Sequence, residues 1–233
     1  FERTPIPGAQ RWDHQAMGGI HYHLDYLTPY WDPEGGFKFD ATYQGGVAKL
    51  NTDQGTHLFS AQISTVEKMP DASGWVEDYL PGGEQVAPAF RWLAQTKVAL
   101  RAYGAYGLPS TGEFFTLGGG DLFRGFALNE RQGNVVWVGS VEWRVPICKD
   151  VKWDACDHVM SVRNVYGAIF SDVGDAYVNN RSYGPVAYDI GIGLRLDTSW
   201  FSFVERNMIR FDIAKTINSD RGVQFNFAAQ LPF

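Results

Sequence analysis

The sequence predicts an all-β fold, an antiparallel transmembrane β-barrel, from three observations. Apolar and polar residues alternate with a period of two in segments of roughly ten to fourteen residues, which are separated by Gly, Pro, Asn and Asp. These segments are longer than the roughly five or six residues usual in soluble sheets. Aromatic residues cluster towards their ends, as they do at membrane interfaces. A soluble sandwich with a buried apolar face shows the same alternation, so alternation alone leaves that architecture open.

The last segment shows the alternation best. Successive side chains of a strand point to opposite faces, so one face of this segment is apolar and the other is polar. The apolar face carries Val223, Phe225, Phe227, Ala229, Leu231 and Phe233, and the other face carries Gln224, Asn226, Ala228 and Gln230. In a barrel the first face would contact lipid and the second would line a hydrated lumen.

About nine strands are predicted on this basis. Their ranges are 18–30, 36–47, 56–66, 90–106, 135–147, 161–173, 186–197, 203–216 and 222–233. A bacterial barrel ends its last strand on the periplasmic side, so 107–133 becomes an extracellular loop and 67–88 a periplasmic one. The second of these is longer than the usual periplasmic turn, and alternation predicts no element within it.

Composition excludes several classes of function. A net charge of -6 and a pI near 5.3 argue against a nucleic-acid partner. No apolar run approaches the roughly 18 to 20 residues of a membrane-spanning helix. No Gly-x-Ser-x-Gly, His-Glu-x-x-His or Gly-Lys phosphate loop is present, so we expect neither an enzyme nor a cofactor. His21 and His23 have only Asp25 nearby, and lumen polarity explains them better than a metal does.

Cys148 and Cys156 lie in one polar segment, CKDVKWDAC, which alternation places in a periplasmic turn. Their spacing could close a small disulfide loop in an oxidising compartment. Spacing does not show that the Cβ geometry permits the bond, so two free thiols remain the alternative. No metal site is expected at this pair.

The segment Leu108–Phe126 reads LPSTGEFFTLGGGDLFRGF. It resembles the signature loop of the outer-membrane assembly-factor and bacterial surface-antigen superfamily, which includes Bam-type and two-partner-secretion-type barrels. The matching residues are Gly118, Gly119 and Gly120, followed by the triplet Arg124, Gly125 and Phe126. Later segments resemble the family at Ser140, Glu142 and Pro146, at Phe170, Asp172 and Gly174, and at Gly191, Gly193 and Arg195.

The resemblance implies that this loop folds back into the barrel and that its Arg contacts acidic residues of the inner wall. By strand parity Glu142 and Asp172 face inward on consecutive strands, and we expect them to be the partners of Arg124. A guanidinium offers five donors and stays charged, so a confined lumen favours pairing it with carboxylates. The C-terminal residues Phe225, Phe227, Leu231 and Phe233 resemble the signal that assembly machinery reads in outer-membrane proteins.

The family's barrel is expected to have about sixteen strands, preceded by periplasmic repeat domains. The resemblance therefore implies that residues 1–233 are the C-terminal portion of one barrel domain, and we expect no periplasmic repeat domain among them. An N-terminal segment or another chain would complete the barrel. The implied function is insertion or translocation of proteins at the bacterial outer membrane, with outer-membrane lipid and client outer-membrane proteins as partners. Two alternatives stay open: a structural or passive-pore subunit of a larger complex, and the membrane anchor of an upstream hydrolase.

Overall fold

A computed structural model describes residues 17–29, 32–46, 55–120, 122–155, 159–182, 184–201, 204–218 and 222–230. Strands dominate these ranges, and two short helices interrupt them. The elements are β1 (Met17–Asp25), β2 (Phe37–Gly46), β3 (Thr56–Lys68), α1 (Ser73–Tyr79), α2 (Gly83–Leu93), β4 (Lys97–Leu108), β5 (Phe115–Leu117), β6 (Arg131–Gly133), β7 (Val135–Cys148), β8 (Trp153–Ala155), β9 (Met160–Val178), β10 (Arg181–Ser182), β11 (Ala187–Trp200), β12 (Val204–Thr216) and β13 (Gln224–Gln230).

One antiparallel sheet contains the long strands in the order β1-β2-β3-β4-β7-β9-β11-β12-β13. Each long strand pairs with the next long strand along the chain, the pattern of an up-and-down meander. The short strands β8 and β10 pair with β9, and β5 pairs with β6 in a separate hairpin. The predicted all-β antiparallel fold is confirmed.

The sheet curves strongly. Asp32, in the turn between β1 and β2, accepts a hydrogen bond of 2.5 Å from the hydroxyl of Tyr166 in β9. It also lies 2.8 Å from the ammonium of Lys97 at the start of β4. Since β9 lies four places from β2 in the sheet, the inner faces of these strands look toward each other, as in a barrel wall.

The two faces of the sheet differ as alternation predicts. The outer face exposes large apolar side chains, including Ile192 at 60% and Phe225 at 77%. The inner face buries charged ones, and Arg195 and Asp189 are both fully buried. This is the reverse of a water-soluble sandwich, in which the apolar face forms the core.

The prediction of a strand from residue 90 is wrong for its first part. Residues 90–93 belong to α2, and β4 begins at Lys97. Val86, Phe90 and Leu93 recur at helical spacing, while Arg91, Gln95 and Lys97 happen to alternate as in a strand. None of the helices in the described ranges is long and apolar enough to cross a bilayer.

Candidate functional site

The long connection between β4 and β7 turns back against the inner face of the sheet. Residues Phe115–Leu117 and Arg131–Gly133 pair as a hairpin, and the part between them carries the RGF triplet. Gly118 and Gly119 take φ angles of +126° and +92°, which only glycine adopts at low cost. A Cβ on Gly118 would lie 2.2 Å from the carbonyl oxygen of Ala127. These glycines therefore let the RGF loop, residues 118–130, double back on itself.

Arg124 is held by two carboxylates of the inner face. Its Nε and Nη2 donate to the two oxygens of Asp172 at 2.9 and 2.7 Å, a bidentate fork. Its Nη1 donates to Glu142 at 2.6 Å. The backbone N–H of Arg124 also donates to Asp172 at 3.2 Å, so this carboxylate fixes both the side chain and the backbone of the loop.

Glu142 binds three guanidinium groups. Besides Arg124, it accepts hydrogen bonds from Arg144 at 2.8 Å and from Arg195 at 2.9 and 2.5 Å. Arg195 also donates to Asp212 at 2.6 Å. One network thus joins the RGF loop to strands β7, β9, β11 and β12.

Gly125 fits against the inner face because it has no side chain. Its N–H donates to Asp189 at 2.6 Å, and its carbonyl oxygen accepts from the hydroxyl of Thr216 at 2.8 Å. A Cβ at this position would lie 2.6 Å from the Cβ of Asp189. A larger residue would push the loop away from β11.

Aromatic residues on both sides of Arg124 exclude water from the network. Phe123 and Phe126 are buried with ring centroids 4.4 Å apart. The guanidinium carbon of Arg124 lies 3.4 Å from the ring centroid of Phe170, a cation–π contact. Around the two loop rings pack the small and aliphatic residues Leu117, Val136, Val138, Ala176 and Ala187.

The loop also binds the last strand of the sheet. The side-chain amide of Asn226 in β13 donates to the carbonyl oxygen of Arg124 at 2.9 Å. In β12, Arg210 donates to the carbonyl oxygen of Gly120. The loop is therefore attached to every long strand from β7 to β13.

Burial makes this network sensitive to the loss of any one partner. Removing charges from water costs free energy that a buried ion pair offsets only when its hydrogen bonds are nearly complete. Asp172 accepts three hydrogen bonds from Arg124 alone, and Glu142 accepts bonds from three guanidinium groups. The arrangement anchors the RGF loop to the inner face of the sheet.

The other predicted site residues that the structure describes lie outside this network. Phe225 and Phe227 project from the outer face of β13, and Leu231 and Phe233 lie outside the described residues. Cys148 is exposed at the end of β7, whereas Cys156 lies outside the described residues, so the disulfide stays a prediction.

His21 and His23 both contact Asp40, an acidic residue that sequence proximity does not suggest. The ring of His23 lies 2.6 Å from Asp40 of the neighbouring strand, and that of His21 lies 3.4 Å from it. In the part of the chain that the structure describes, no group of three or more His, Cys, Asp or Glu residues is arranged to hold a metal ion.

Sequence reasoning did not assign several residues to the network: Arg144, Phe170, Asp189, Asp212, Thr216 and Asn226. All of them lie on the inner face by parity, so the sequence could have predicted the direction in which their side chains point. Parity gives only the direction of a side chain. Which of these residues the loop touches depends on where the loop crosses the sheet, and alternation carries no information about that.

Comparison with known proteins supports the fold through structure alone. No protein-family model matches the sequence, and no curated protein is detectably similar to it. Among solved structures, the chain is similar to the crystal structure of BamA from Haemophilus ducreyi lacking POTRA domains 1–3, with a TM-score of 0.56 and 14% sequence identity. The similarity covers 91% of this chain and 41% of that chain. The chain thus has a fold like the BamA barrel and spans about two fifths of that chain's length.

Proposed function

We propose that this chain is part of a bacterial outer-membrane barrel that inserts or translocates other outer-membrane proteins. The observation that carries the proposal is the RGF loop, which Arg124 anchors to the inner face through Glu142 and Asp172. The resemblance of this loop to the assembly-factor family and the likeness of the fold to BamA support the same function.

The loop would act by stabilising the strands beside an open edge. Within the described residues, β13 pairs with β12 on one side only, so its other edge presents unpaired backbone groups. Such an edge can pair with an incoming strand by backbone hydrogen bonds. The bond from Asn226 to the carbonyl oxygen of Arg124 would hold β13 in place while its free edge receives a client strand.

The partners in this proposal are outer-membrane lipid on the outer face and client β-barrel proteins at the edge. The exposed apolar side chains of the outer face suit hydrocarbon, and the charged inner face suits a hydrated lumen. The proposal needs no covalent chemistry and no cofactor.

Depletion of the protein in its own cells tests this function. We expect other outer-membrane barrels to lose their folded, heat-modifiable form, because their insertion depends on this protein. Wild-type protein should restore them, and Asn226→Leu should restore them only in part, since it removes the bond between the loop and β13. Gln62→Leu is the matched control, because it removes an amide from the inner face of β3, outside the last strand.

Two results would contradict the proposal. Unchanged assembly of other barrels after depletion, together with a conductance from the purified protein, would instead identify a passive pore. Full rescue by Asn226→Leu would show that the contact between the loop and β13 has no part in the function.

A further inference from the structure

The helices α1 and α2 form a hairpin between β3 and β4, and residues 73–88 of this hairpin lie in the segment for which alternation predicted no element. Because neighbouring strands run in opposite directions, this hairpin lies at the end of the sheet opposite the RGF loop. The N–H of Ser73 donates to Asp71 at 2.9 Å just before α1, and this bond lowers the pKa of Asp71. Asp71 therefore stays ionised near the first turn, where negative charge favours a helix.

The two helices pack together through small and polar contacts. Val76, Gly83 and Ala87 are buried in the hairpin, and a Cβ on Gly83 would lie 1.9 Å from the carbonyl oxygen of Val76. An ion pair joins Glu77 of α1 to Arg91 of α2. This packing does not bury the large apolar side chains of the two helices.

Those side chains are exposed. Trp75 and Tyr79, one turn apart in α1, stack with ring centroids 5.8 Å apart and are 60% and 72% exposed. In α2, the exposed apolar face contains Val86, Ala89, Phe90 and Trp92. A helix of a water-soluble domain buries its apolar face, so this exposure requires a different environment.

The exposed face continues the outer face of the sheet. Trp92 makes an edge-to-face contact with Trp143 of β7, with ring centroids 6.3 Å apart at 90°. Trp143 shares its face with Val141 and Ile147, which are both exposed. If the outer face contacts lipid, the helix beside Trp143 lies at the edge of that lipid, where Trp and Tyr rings are preferred.

We propose that the α1–α2 hairpin is an interfacial membrane anchor that inserts its aromatic face into the lipid headgroup layer. From Asp71 to Gln95 the chain has four acidic side chains and one basic one, so attraction to anionic headgroups does not drive the contact. Insertion depends on burial of the apolar face and needs only zwitterionic lipid. The inference rests on the membrane-spanning fold and is independent of any insertion activity.

Spin-label accessibility of the folded protein in phosphatidylcholine nanodiscs tests the anchor. Val86→Cys and Ala89→Cys place labels on the apolar face of α2, and Glu84→Cys places the matched control on the polar face, each with Cys148→Ser and Cys156→Ser. We expect labels at 86 and 89 to collide several-fold more with oxygen, which partitions into lipid, than with a water-soluble nickel chelate. The label at 84 should show the opposite preference. Addition of phosphatidylglycerol should leave these ratios unchanged.

Two outcomes would overturn the anchor. Equal access of the nickel chelate at all three positions would place the hairpin in water. Protection of 86 and 89 from both reagents would show that protein covers this face. Heat-modifiable mobility of each variant verifies that the barrel is folded. If the labels show the expected accessibility but the protein fails to insert clients, the result would count against the proposed function and not against the anchor.

Discussion

The inner face of the sheet has two regions that share one alternation pattern and differ in water access. On β1 and β2, the His23 ring lies 2.6 Å from Asp40, and their side chains are 47% and 26% exposed. On β7 and β11, Glu142 and Arg195 are 2.5 Å apart with exposures of 2% and 0%. The RGF loop lies over the second region, where Arg124 donates to Glu142. In the first region, the contact between His23 and Asp40 remains open to solvent.

This contrast separates two kinds of information in the sequence. Alternation determines which way a side chain points, and it does so equally well in both regions. Whether the loop covers a polar contact determines how much that contact contributes to stability, since exposed ion pairs are screened by water and buried ones are not. Substitutions in the two regions should therefore have unequal effects, and their ranking tests whether the loop is the cause.

The largest effect is expected for Arg124→Ala. It leaves Asp172 buried without the two hydrogen bonds from the Arg124 side chain and removes one partner of Glu142. Removing one partner from a buried ion pair typically costs about 3–5 kcal/mol. We expect a loss of this size in the free energy of unfolding, measured in lipid vesicles by urea titration with heat-modifiable mobility as the readout.

Arg131→Ala is the matched control for this loss. Arg131 is also an Arg of the β4–β7 connection, and its Nη1 lies 2.6 Å from Asp175, outside the Glu142 network. Its side chain is 13% exposed, against 3% for Arg124. Equal losses for the two variants would show that the inner-face network has no special role in stability.

An intermediate effect is expected for Gly125→Ala. The added Cβ would lie 2.6 Å from the Cβ of Asp189 and 2.8 Å from the Thr216 hydroxyl, so the loop must move away from β11. Overpacking of this kind costs about 1–3 kcal/mol. Gly104→Ala on the outer face of β4 is the control, because a Cβ there meets nothing within 4 Å. The same urea titration distinguishes them, and an unfolding curve for Gly125→Ala equal to that of Gly104→Ala would contradict the close fit.

The sequence predicted the sheet well because successive side chains of every strand point to opposite faces, so a sheet with one apolar and one polar face requires alternation. Glu142 and Asp172 were placed on the inner face by counting alone. The helix at 83–93 was missed because Arg91 and Gln95 continue the alternation of β4 back into a helical segment. The contacts of Glu142 with Arg144 and Arg195 were beyond sequence reasoning, since they depend on the curvature of the sheet.

The smallest effect is expected for His23→Ala, in the open region of the inner face. Even a fully charged exposed pair contributes only about 0–1 kcal/mol, because solvent screens it and fixing two side chains costs entropy. Asp40 also keeps a contact with Lys38 at 3.5 Å, so it is not left alone. We expect an unfolding curve close to that of wild type in the same urea titration. A loss as large as that of Arg124→Ala would show that this region is also covered, and would remove the loop as the reason why the two regions differ.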